Sequence, residues 1–321
     1  MTTDLIEKSV LITGAAGCIG AWVVKKLRNI GATPVVFDLT ENRTRLNLIM
    51  ENAQDVIWEC GDITDYERLC EVIKKHDIYG IIHLAALQVP FCKADPIGSV
   101  KVNVVGTTHI FEAARQHGIK RLSYASSIAA PAMGENDHLA TLYGAHKVCG
   151  EHMAAVYWQD WQVPSVCIRP GVIYGPGRDQ GMSAAPTIAA LAALFGQSYN
   201  VPFSGPVAFV HVEDAADRFI GAIAQDVAGA PVFDMQGTEA RVEDVLSEIM
   251  QNIQGAKVTV TGNALPFPHA ADDGSLDALI GAKPYHSLKD GIARTLQSFE
   301  TARARNVLTE DLALELIAKN S

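Results

Sequence analysis

The segment TGAAGCIG, residues 13–20, contains the glycines that decide how this chain folds. It directly follows an apolar run of strand length and opens an amphipathic segment of helix length. Glycines at such a turn let the backbone approach a phosphate closely, while the helix N-terminus supplies unpaired N–H groups and a positive dipole end. The unit therefore predicts a nucleotide-binding turn. We expect it to contact the nucleotide through Gly14, Gly17, Cys18, Ile19 and Gly20.

A carboxylate at the end of the second strand-like run supports this interpretation. The run TPVVFD ends at Asp38, where a carboxylate can accept hydrogen bonds from both hydroxyls of a ribose. The same charge would repel a 2'-phosphate, so the sequence favours NAD over NADP. Arg43 and Arg45 are close enough in sequence to keep NADP as the alternative.

Apolar runs alternate with amphipathic segments through the first half of the chain. The runs lie at 8–13, 34–38, 55–59, 79–84, 121–126 and 164–168, and the helix-length segments between them include 18–30, 65–76 and 98–117. This alternation predicts an α/β fold with a parallel sheet covered by helices on both faces. We expect it to be a doubly wound nucleotide-binding domain spanning 1–170.

The rhythm becomes irregular after Arg169-Pro170-Gly171, where loops rich in glycine and proline separate further helical segments. These segments lie near 184–195, 213–225, 242–253 and 287–304. We expect residues 171–321 to form mainly a smaller substrate-binding lobe, with some segments returning to the first domain.

Composition limits the classes of partner. The formal net charge of −10 and the pI of about 5.4 argue against a general nucleic-acid or anionic-membrane partner. The first residues lack a signal-peptide pattern, and no apolar run is long enough to span a bilayer. Six cysteines show no metal-ligand spacing, and no partner at such spacing is found for His76, His83, His109, His117 and His138. We therefore expect a cytoplasmic protein with reduced thiols and no metal site.

Two further segments follow strand-like runs and are candidates for cofactor contact. Asp62 and Ile63 come after the third run, where Asp62 would accept from an adenine amino group or cap the helix that starts near Asp65. The segment after the fourth run contributes Leu84, Ala85 and Ala86, which include two side chains small enough for a cofactor to lie against the backbone. His83, on that run, is expected to be a core residue.

The segment TLYGAHK, residues 141–147, contains a candidate acid/base. Tyr143 and Lys147 share a face if 142–158 is helical. A nearby ammonium group and a positively charged nicotinamide ring would both favour the phenolate, which could then take a proton from a substrate hydroxyl. Ser126 and Ser127 end the fifth run and could hold the substrate oxygen.

These motifs, taken together, resemble the extended short-chain dehydrogenase/reductases, the NAD-dependent epimerase/dehydratase group. The resemblance covers essentially the whole chain and rests on TGAAGCIG, Asp38, GDI, HLAA, Asn103-Val-Val-Gly-Thr, YASS, Tyr143-x-x-x-Lys147, RPGVIYGPG and FVHVEDAA. It implies a Rossmann-type sheet that binds NAD, with Tyr143 as acid/base and Lys147 also on the nicotinamide ribose. It further implies Ser127, rather than Ser126, as the catalytic hydroxyl, and Asn103 as a support for the lysine through the active-site helix.

The chain departs from the family pattern around the substrate. Family members continue the serine motif into a Val-Tyr-Gly turn, whereas Ala130-Pro131-Ala132 stands here, so the substrate-side contacts of this loop are in doubt. The epimerases place an arginine before FVHVED to hold a diphosphate, and Val207 occupies that position. This favours a smaller uncharged or carboxylated substrate. Arg178 and His211 are the candidate substrate contacts, although Arg178 is equally compatible with a solvated loop.

Three functions remain open on these residues. The first is NAD-dependent oxidation of a secondary alcohol of a sugar, sugar acid or related polyol. The second is nucleotide-sugar 4-epimerisation with tightly retained NAD; dehydration is disfavoured because Ile128-Ala129 stands where dehydratases often carry Asp-Glu. The third is a non-catalytic NAD(H)-binding protein. The resemblance also implies a homodimer formed through helices 98–117 and 142–158.

Overall fold

A computed structural model describes residues 3–130, 141–235, 237–265, 274–281 and 284–320. The expectation about the loop that contains Pro131 and Ala132 lies outside these residues.

Strands and helices alternate in the order expected through the first half of the chain, and further strands follow in the second half. The strands are β1 (Ser9–Thr13), β2 (Thr33–Asp38), β3 (Ile57–Cys60), β4 (Gly80–His83), β5 (Arg121–Ala125), β6 (Val166–Arg169), β7 (Val172–Tyr174), β8 (Ser198–Val201), β9 (Pro206–His211), β10 (Val232–Asp234), β11 (Thr238–Arg241) and β12 (Lys257–Val260). The α-helices are α1 (Cys18–Asn29), α2 (Thr44–Ile49), α3 (Tyr66–Lys75), α4 (Val89–Ala94), α5 (Pro96–Val100), α6 (Gly106–His117), α7 (Leu142–Trp161), α8 (Ala185–Leu194), α9 (Val212–Ala224), α10 (Val242–Asn252), α11 (Ser275–Ile280), α12 (Leu288–Ala304) and α13 (Glu310–Lys319). Short 3-10 turns lie at Thr3–Leu5, Ala53–Asp55 and Met182–Ala184, and a π-helical turn lies at Lys101–Val105.

The large sheet has seven strands in the order β10-β6-β5-β4-β1-β2-β3. Every pairing within it is parallel. The chain reverses its direction of winding between β1 and β4, which creates a crevice at the carboxyl ends of the strands. The predicted Rossmann-type, doubly wound parallel sheet is confirmed.

The central strands are largely buried because helices cover both faces of the sheet. Successive residues of β1 divide between two cores: Val10 and Ile12 pack with α1 and α9, whereas Leu11 packs with α3 and α6. This explains why the strand-length runs show no alternation of polar and apolar residues.

The segment expected to form one helix over 98–117 is instead built from three pieces. The α5 helix passes into the π-helical turn Lys101–Val105, which runs directly into α6. At the junction, a Cβ on Gly106 would lie 2.7 Å from the Ile63 side chain. The glycine thus lets α6 pass close to the loop after β3, and the wider turn places Asn103 on the buried side.

The C-terminal part forms its own core and contains strands that the sequence pattern did not predict. A three-stranded sheet has the order β11-β9-β7, and β8 pairs with β12. Helices α8, α10, α12 and α13 pack with these strands around a separate apolar cluster. From this part of the chain, β10 joins the large sheet beside β6. The proposed boundary near residue 170 stays a prediction.

His83 connects the ends of two strands to α6, as a core residue. Its Nδ1 atom lies 2.7 Å from the Thr13 hydroxyl, and its Nε2 atom lies 3.1 Å from the Thr107 hydroxyl. The Thr107 hydroxyl donates to the carbonyl oxygen of Asn103 at 2.7 Å, so it accepts from the Nε2–H of His83. Burial lowers the pKa of His83 to about 3.

This burial makes stability depend on pH. The pKa of His83 falls from 6.5 when unfolded to about 3 when folded, so its contribution to stability is complete above pH 6.5 and is lost as pH falls towards 3. Between about pH 7 and about pH 5, we expect the wild type to lose ~2 kcal/mol of unfolding free energy that His83→Gln does not lose. Denaturant titrations measure the difference. A variant with the same pH slope as the wild type would contradict the assignment, and exposed His152→Gln is the control.

Candidate functional site

A cleft of about 830 Å³ opens at the carboxyl ends of the large sheet. It is lined by all the residues predicted to bind the cofactor, which include Tyr143 and Lys147, and by two further predicted residues, Ser127 and Arg178. Its remaining walls are largely apolar and come from α4, the segment after β6, and the segment before α8. The predicted positions are therefore brought together, except for Asn103 and His211.

The glycine-rich turn lies between β1 and α1. Gly14 has φ of 71°, a left-handed conformation that glycine adopts without strain, and a Cβ there would lie 2.7 Å from the amide nitrogen of Ala85. A Cβ on Gly20 would lie 2.6 Å from the carbonyl oxygen of Gly14. The turn is thus closely packed between the end of β4 and the start of α1. Gly17 is the N-cap of α1 and offers no side-chain cap, so the first N–H groups of α1 remain free to bind an anion.

Asp38 ends β2 at the edge of the cleft. Its Oδ2 atom accepts a hydrogen bond from the Ala16 N–H at 2.9 Å, and its Oδ1 atom accepts one from the Leu39 N–H at 2.9 Å. Burial raises the pKa of the carboxyl, and these two N–H groups act in the opposite direction. Each carboxylate oxygen keeps further lone pairs, so Asp38 can still accept from a ribose.

Arg43 and Arg45, which left NADP as the alternative cofactor, are both bound by other groups of the protein. Arg43 pairs with Glu41 at 2.7 Å and donates to the carbonyl oxygen of Val56. Arg45 pairs with Asp179 at 2.5 Å and donates to the carbonyl oxygen of Ala16. A 2'-phosphate would have to displace these contacts, in addition to facing the charge of Asp38.

The other predicted cofactor residues differ in their roles. Leu84, Ala85 and Ala86 line the cleft together with the glycine-rich turn, and Ile63 is a buried residue of the same lining. Asp62 forms a local turn, in which its Oδ1 atom accepts from the Thr64 N–H at 2.8 Å. The alternative that Asp62 caps the next helix is wrong, because the N-cap of α3 is Asp65.

Tyr143 and Lys147 lie on the same face of α7, as expected. Thr141 caps the helix by accepting from the Gly144 N–H at 3.0 Å, which places both side chains in its first two turns. The Lys147 Nζ atom lies 5.5 Å from the centroid of the Tyr143 ring and donates to the carbonyl oxygen of Ala125 at 2.6 Å. Burial lowers the pKa of Lys147 to about 8.

The charge balance at Tyr143 differs from the expectation. Burial raises the pKa of the phenol to about 12, and the nearby Arg178 guanidinium and Ser127 hydroxyl lower it. The cation that acts on the phenol here is therefore Arg178 rather than Lys147. The physical reason is that the Lys147 ammonium is directed at the Ala125 carbonyl oxygen instead of at the phenol oxygen.

The two serines after β5 have separate partners, which agrees with the choice of Ser127. The Ser126 hydroxyl is buried and donates to Glu151 at 2.5 Å, whereas Ser127 lies beside Tyr143. Arg169 holds Glu151 through two hydrogen bonds of 2.7 and 2.6 Å. Sequence reasoning missed this Glu151–Arg169 pair, although the spacing of Glu151 four residues after Lys147 placed it on the same helix face.

Asn103 is buried against the loop after β4. Its Oδ1 atom accepts from the Leu87 N–H at 2.7 Å and its Nδ2 atom donates to the Leu87 carbonyl oxygen at 2.9 Å. The same amide nitrogen lies 3.4 Å from Nδ1 of His146, the residue that precedes Lys147. Its contacts with α7 therefore run through His146, and its main bonds fix a loop that lines the cleft.

His211 is not brought to the cleft, so its predicted contact with a substrate is not supported. The ring is 1 % exposed and packs against Tyr174 and His286, with ring centroids 5.2 and 5.4 Å apart. It lies at the N-cap of α9, where the Glu213 N–H points to Nδ1 at 3.4 Å. This capping position directs the side chain into the interior.

A sequence model of the NAD dependent epimerase/dehydratase family matches residues 10–234. The chain belongs to this family. It is 30 % identical over 310 residues to a UDP-glucose 4-epimerase of Mycolicibacterium smegmatis, which covers 90 % of this chain and 97 % of that protein. The resemblance to extended short-chain dehydrogenase/reductases is thus confirmed, as is the expectation of an enzyme of this group.

Two solved structures illustrate the likeness in fold. The L-threonine dehydrogenase of Clostridium difficile matches with a TM-score of 0.80 and 22 % identity, covering 92 % of this chain and 98 % of that one. The UDP-glucose 4-epimerase of Thermus thermophilus, solved as a complex with NAD, matches with a TM-score of 0.76 and 24 % identity, covering 92 % and 99 %. Dehydrogenation and epimerisation are thus both named among structures that share this fold.

The described residues also bear on two other kinds of site. No helix among them is both long enough and apolar enough to cross a membrane. Within the same ranges, no group of three or more His, Cys, Asp or Glu side chains is arranged to hold a metal ion.

Proposed function

We propose that this protein is an NAD-dependent dehydrogenase that oxidises a secondary alcohol of a sugar, sugar acid or related polyol. The observation that carries the proposal is the convergence of Tyr143, Ser127 and Lys147 on the cleft that contains the glycine-rich turn. A dinucleotide fits this cleft, because the turn has no room for a Cβ at Gly14 and leaves the N–H groups of α1 free.

Different residues of the chain would bind different parts of the cofactor. The N–H groups that follow Gly17 would hold the pyrophosphate, Asp38 would accept from the adenosine ribose, and Lys147 would contact the nicotinamide ribose. NAD, when bound, supplies the acceptor for the hydride. The engagement of Arg43 and Arg45 by protein groups supports NAD over NADP.

Tyr143 and Ser127 would act directly on the substrate. Tyr143 accepts the proton of the substrate hydroxyl while the hydride leaves the same carbon for NAD, so that a ketone, NADH and a proton result. Ser127 holds the oxygen on which the charge changes. Burial favours the neutral phenol, and the positive charge of Arg178 opposes that effect, so the forward reaction needs the cation nearby.

The second candidate is nucleotide-sugar 4-epimerisation, favoured by the names of relatives such as the Mycolicibacterium protein. Against it stands Val207, at the position where the family's epimerases carry the diphosphate-binding arginine. Val207 is 5 % exposed and packs in the core of the C-terminal part, so it offers no donor to a phosphate. We therefore prefer the dehydrogenase.

The fate of the cofactor distinguishes the two reactions. A dehydrogenase releases NADH at each turnover, so incubation with excess NAD and a panel of sugars, sugar acids and polyols should give an absorbance increase stoichiometric with substrate consumed. An epimerase returns the hydride and retains its cofactor. The proposal would be contradicted if the protein kept NAD through gel filtration and interconverted UDP-glucose and UDP-galactose without accumulating NADH.

Replacement of the phenol tests the assigned base. Tyr143→Phe removes the proton acceptor and should lower kcat at least ~100-fold while changing the Kd for NAD less than ~3-fold. Steady-state kinetics and NADH fluorescence titration measure both quantities. Tyr157→Phe, on the same helix but bonded to Glu112, is the control that should stay active. Retained turnover in Tyr143→Phe would remove Tyr143 from the mechanism.

We also propose a homodimer through α6 and α7, supported by exposed apolar side chains on this side of the molecule. Val156 is 47 % exposed, and Val105 and Trp161 are also exposed, whereas Ile110 and Phe111 are buried against the sheet. Light scattering should give twice the chain mass for the wild type and for Leu314→Glu on α13, and the chain mass for Val156→Glu. A monomeric wild type would refute the dimer.

We further propose a cytoplasmic location, consistent with six cysteines that are all unpaired. Cell fractionation tests it, and recovery of the protein outside the cytoplasm would reject it.

A further inference from the structure

Arg178 lies in the cleft wall, on the segment between β7 and the 3-10 turn Met182–Ala184. Contacts from α1 and α2 hold this segment: the Trp22 indole donates to the Pro176 carbonyl oxygen at 2.9 Å, and Arg45 donates to the Gly177 carbonyl oxygen at 3.0 Å. Arg178 is therefore positioned by two anchored neighbours rather than by a free loop, which removes the solvated-loop alternative.

The guanidinium of Arg178 uses few of its donors. Its Nη2 atom donates to the Ser183 hydroxyl at 2.8 Å. Its Nε atom is buried and has no hydrogen-bond partner among the described residues. An arginine carries five N–H donors, and a buried donor without a partner is costly, so the unpaired Nε–H is available to bind an anion that enters the cleft.

The acidic side chains around the cleft are occupied elsewhere. Asp179, the next residue along the chain, pairs with Arg45. Asp38 accepts from the Ala16 and Leu39 N–H groups, and Asp62 accepts from Thr64. Within the described part of the chain, none of these three carboxylates forms an ion pair with Arg178. The compensating anion is therefore expected to come from a ligand.

The position of Arg178 indicates which class of ligand would bind there. Arg178 and Tyr143 line the same cleft, and the charge of Arg178 acts on the Tyr143 phenol, so a substrate bound to that phenol shares the cleft with the guanidinium. The neighbouring walls are formed by apolar side chains, including Phe91, Val172 and Met182. An arginine in such a wall forms strong, bidentate bonds with a carboxylate because water competes poorly there.

We propose that Arg178 binds a carboxylate of the substrate and makes the enzyme selective for hydroxy acids, such as sugar acids, over the corresponding neutral polyols. This inference rests on the proposed dehydrogenase function and narrows its substrate class. The alcohol that is oxidised lies at Tyr143, and the carboxylate lies on the side of Arg178. A phosphate of the dinucleotide is the other oxyanion within reach, since Arg178 also acts on Cys18 at the start of α1.

The test compares matched pairs of acids and alcohols: glycerate with glycerol, gluconate with glucitol, and glucuronate with glucose. NADH formation is followed with saturating NAD for the wild type, Arg178→Gln and Arg178→Lys. We expect the wild type to use at least one acid with a lower KM than its neutral partner. Arg178→Gln should raise that KM about 10- to 100-fold, because a hydrogen bond to a charged group is lost. Arg178→Lys should raise it less, since the charge remains and the fork is lost.

Two controls distinguish an effect on substrate binding from an effect on cofactor binding. The Kd for NAD should change less than ~3-fold in both Arg178 variants, whereas an equal loss of NAD affinity would assign the arginine to the cofactor phosphate and overturn the proposal. Arg294→Gln, whose side chain is 50 % exposed, should leave both constants unchanged. Equal changes in KM for an acid and its neutral partner would also overturn it.

A binding measurement keeps the inference separate from the proposed reaction. If no compound in the panel yields NADH with the wild type, the proposed function fails on these substrates, but ligand binding still reports on Arg178. The melting temperature of the NAD-loaded wild type should rise with at least one of the three acids and not with its neutral partner. The rise should be absent in Arg178→Gln. No selective rise with any acid in the wild type would contradict the carboxylate site.

Discussion

The close approach of the glycine-rich turn to its neighbours is the constraint on which the rest of the site depends. Gly14 and Gly20 let the end of β1, the end of β4 and the start of α1 meet with no space for a Cβ at either position. This contact leaves the N–H groups of α1 pointing into the crevice and brings Asp38 within reach of the Ala16 N–H. The start of α7 lines the same crevice, so the position of Tyr143 depends on that of the glycine-rich turn.

Burial sets the chemistry at the acid/base. Enclosure raises the pKa of Tyr143 and lowers that of Lys147, and both shifts favour the neutral forms. The groups that oppose these shifts are specific to the site: Arg178 and Ser127 act on the phenol, and Glu151 acts on the lysine. Glu151 lies on α7 and is itself held by Arg169, which fixes the position of the carboxylate relative to Lys147.

Much of this arrangement could be predicted from the sequence, because the relevant residues are close together along the chain. Gly14, Gly17 and Gly20 share one turn, and Tyr143 and Lys147 share one helix face, so local periodicity was sufficient. The Arg45–Asp179 pair joins residues 134 positions apart, and no local pattern predicts it. The strand β7 was missed because three residues are too few to show a period, and the inward direction of His211 depended on its capping of α9.

The central claim is that the phenol of Tyr143 faces the reacting carbon of the nicotinamide across the substrate position. A crystal structure with NAD bound tests it most directly. We predict a nicotinamide ring in the cleft beside Tyr143, with the phenol oxygen about 4 Å from the reactive edge of the ring and Lys147 on the ribose. A nicotinamide bound on the far side of the cleft, or a Tyr143 ring turned into the interior away from it, would contradict the account.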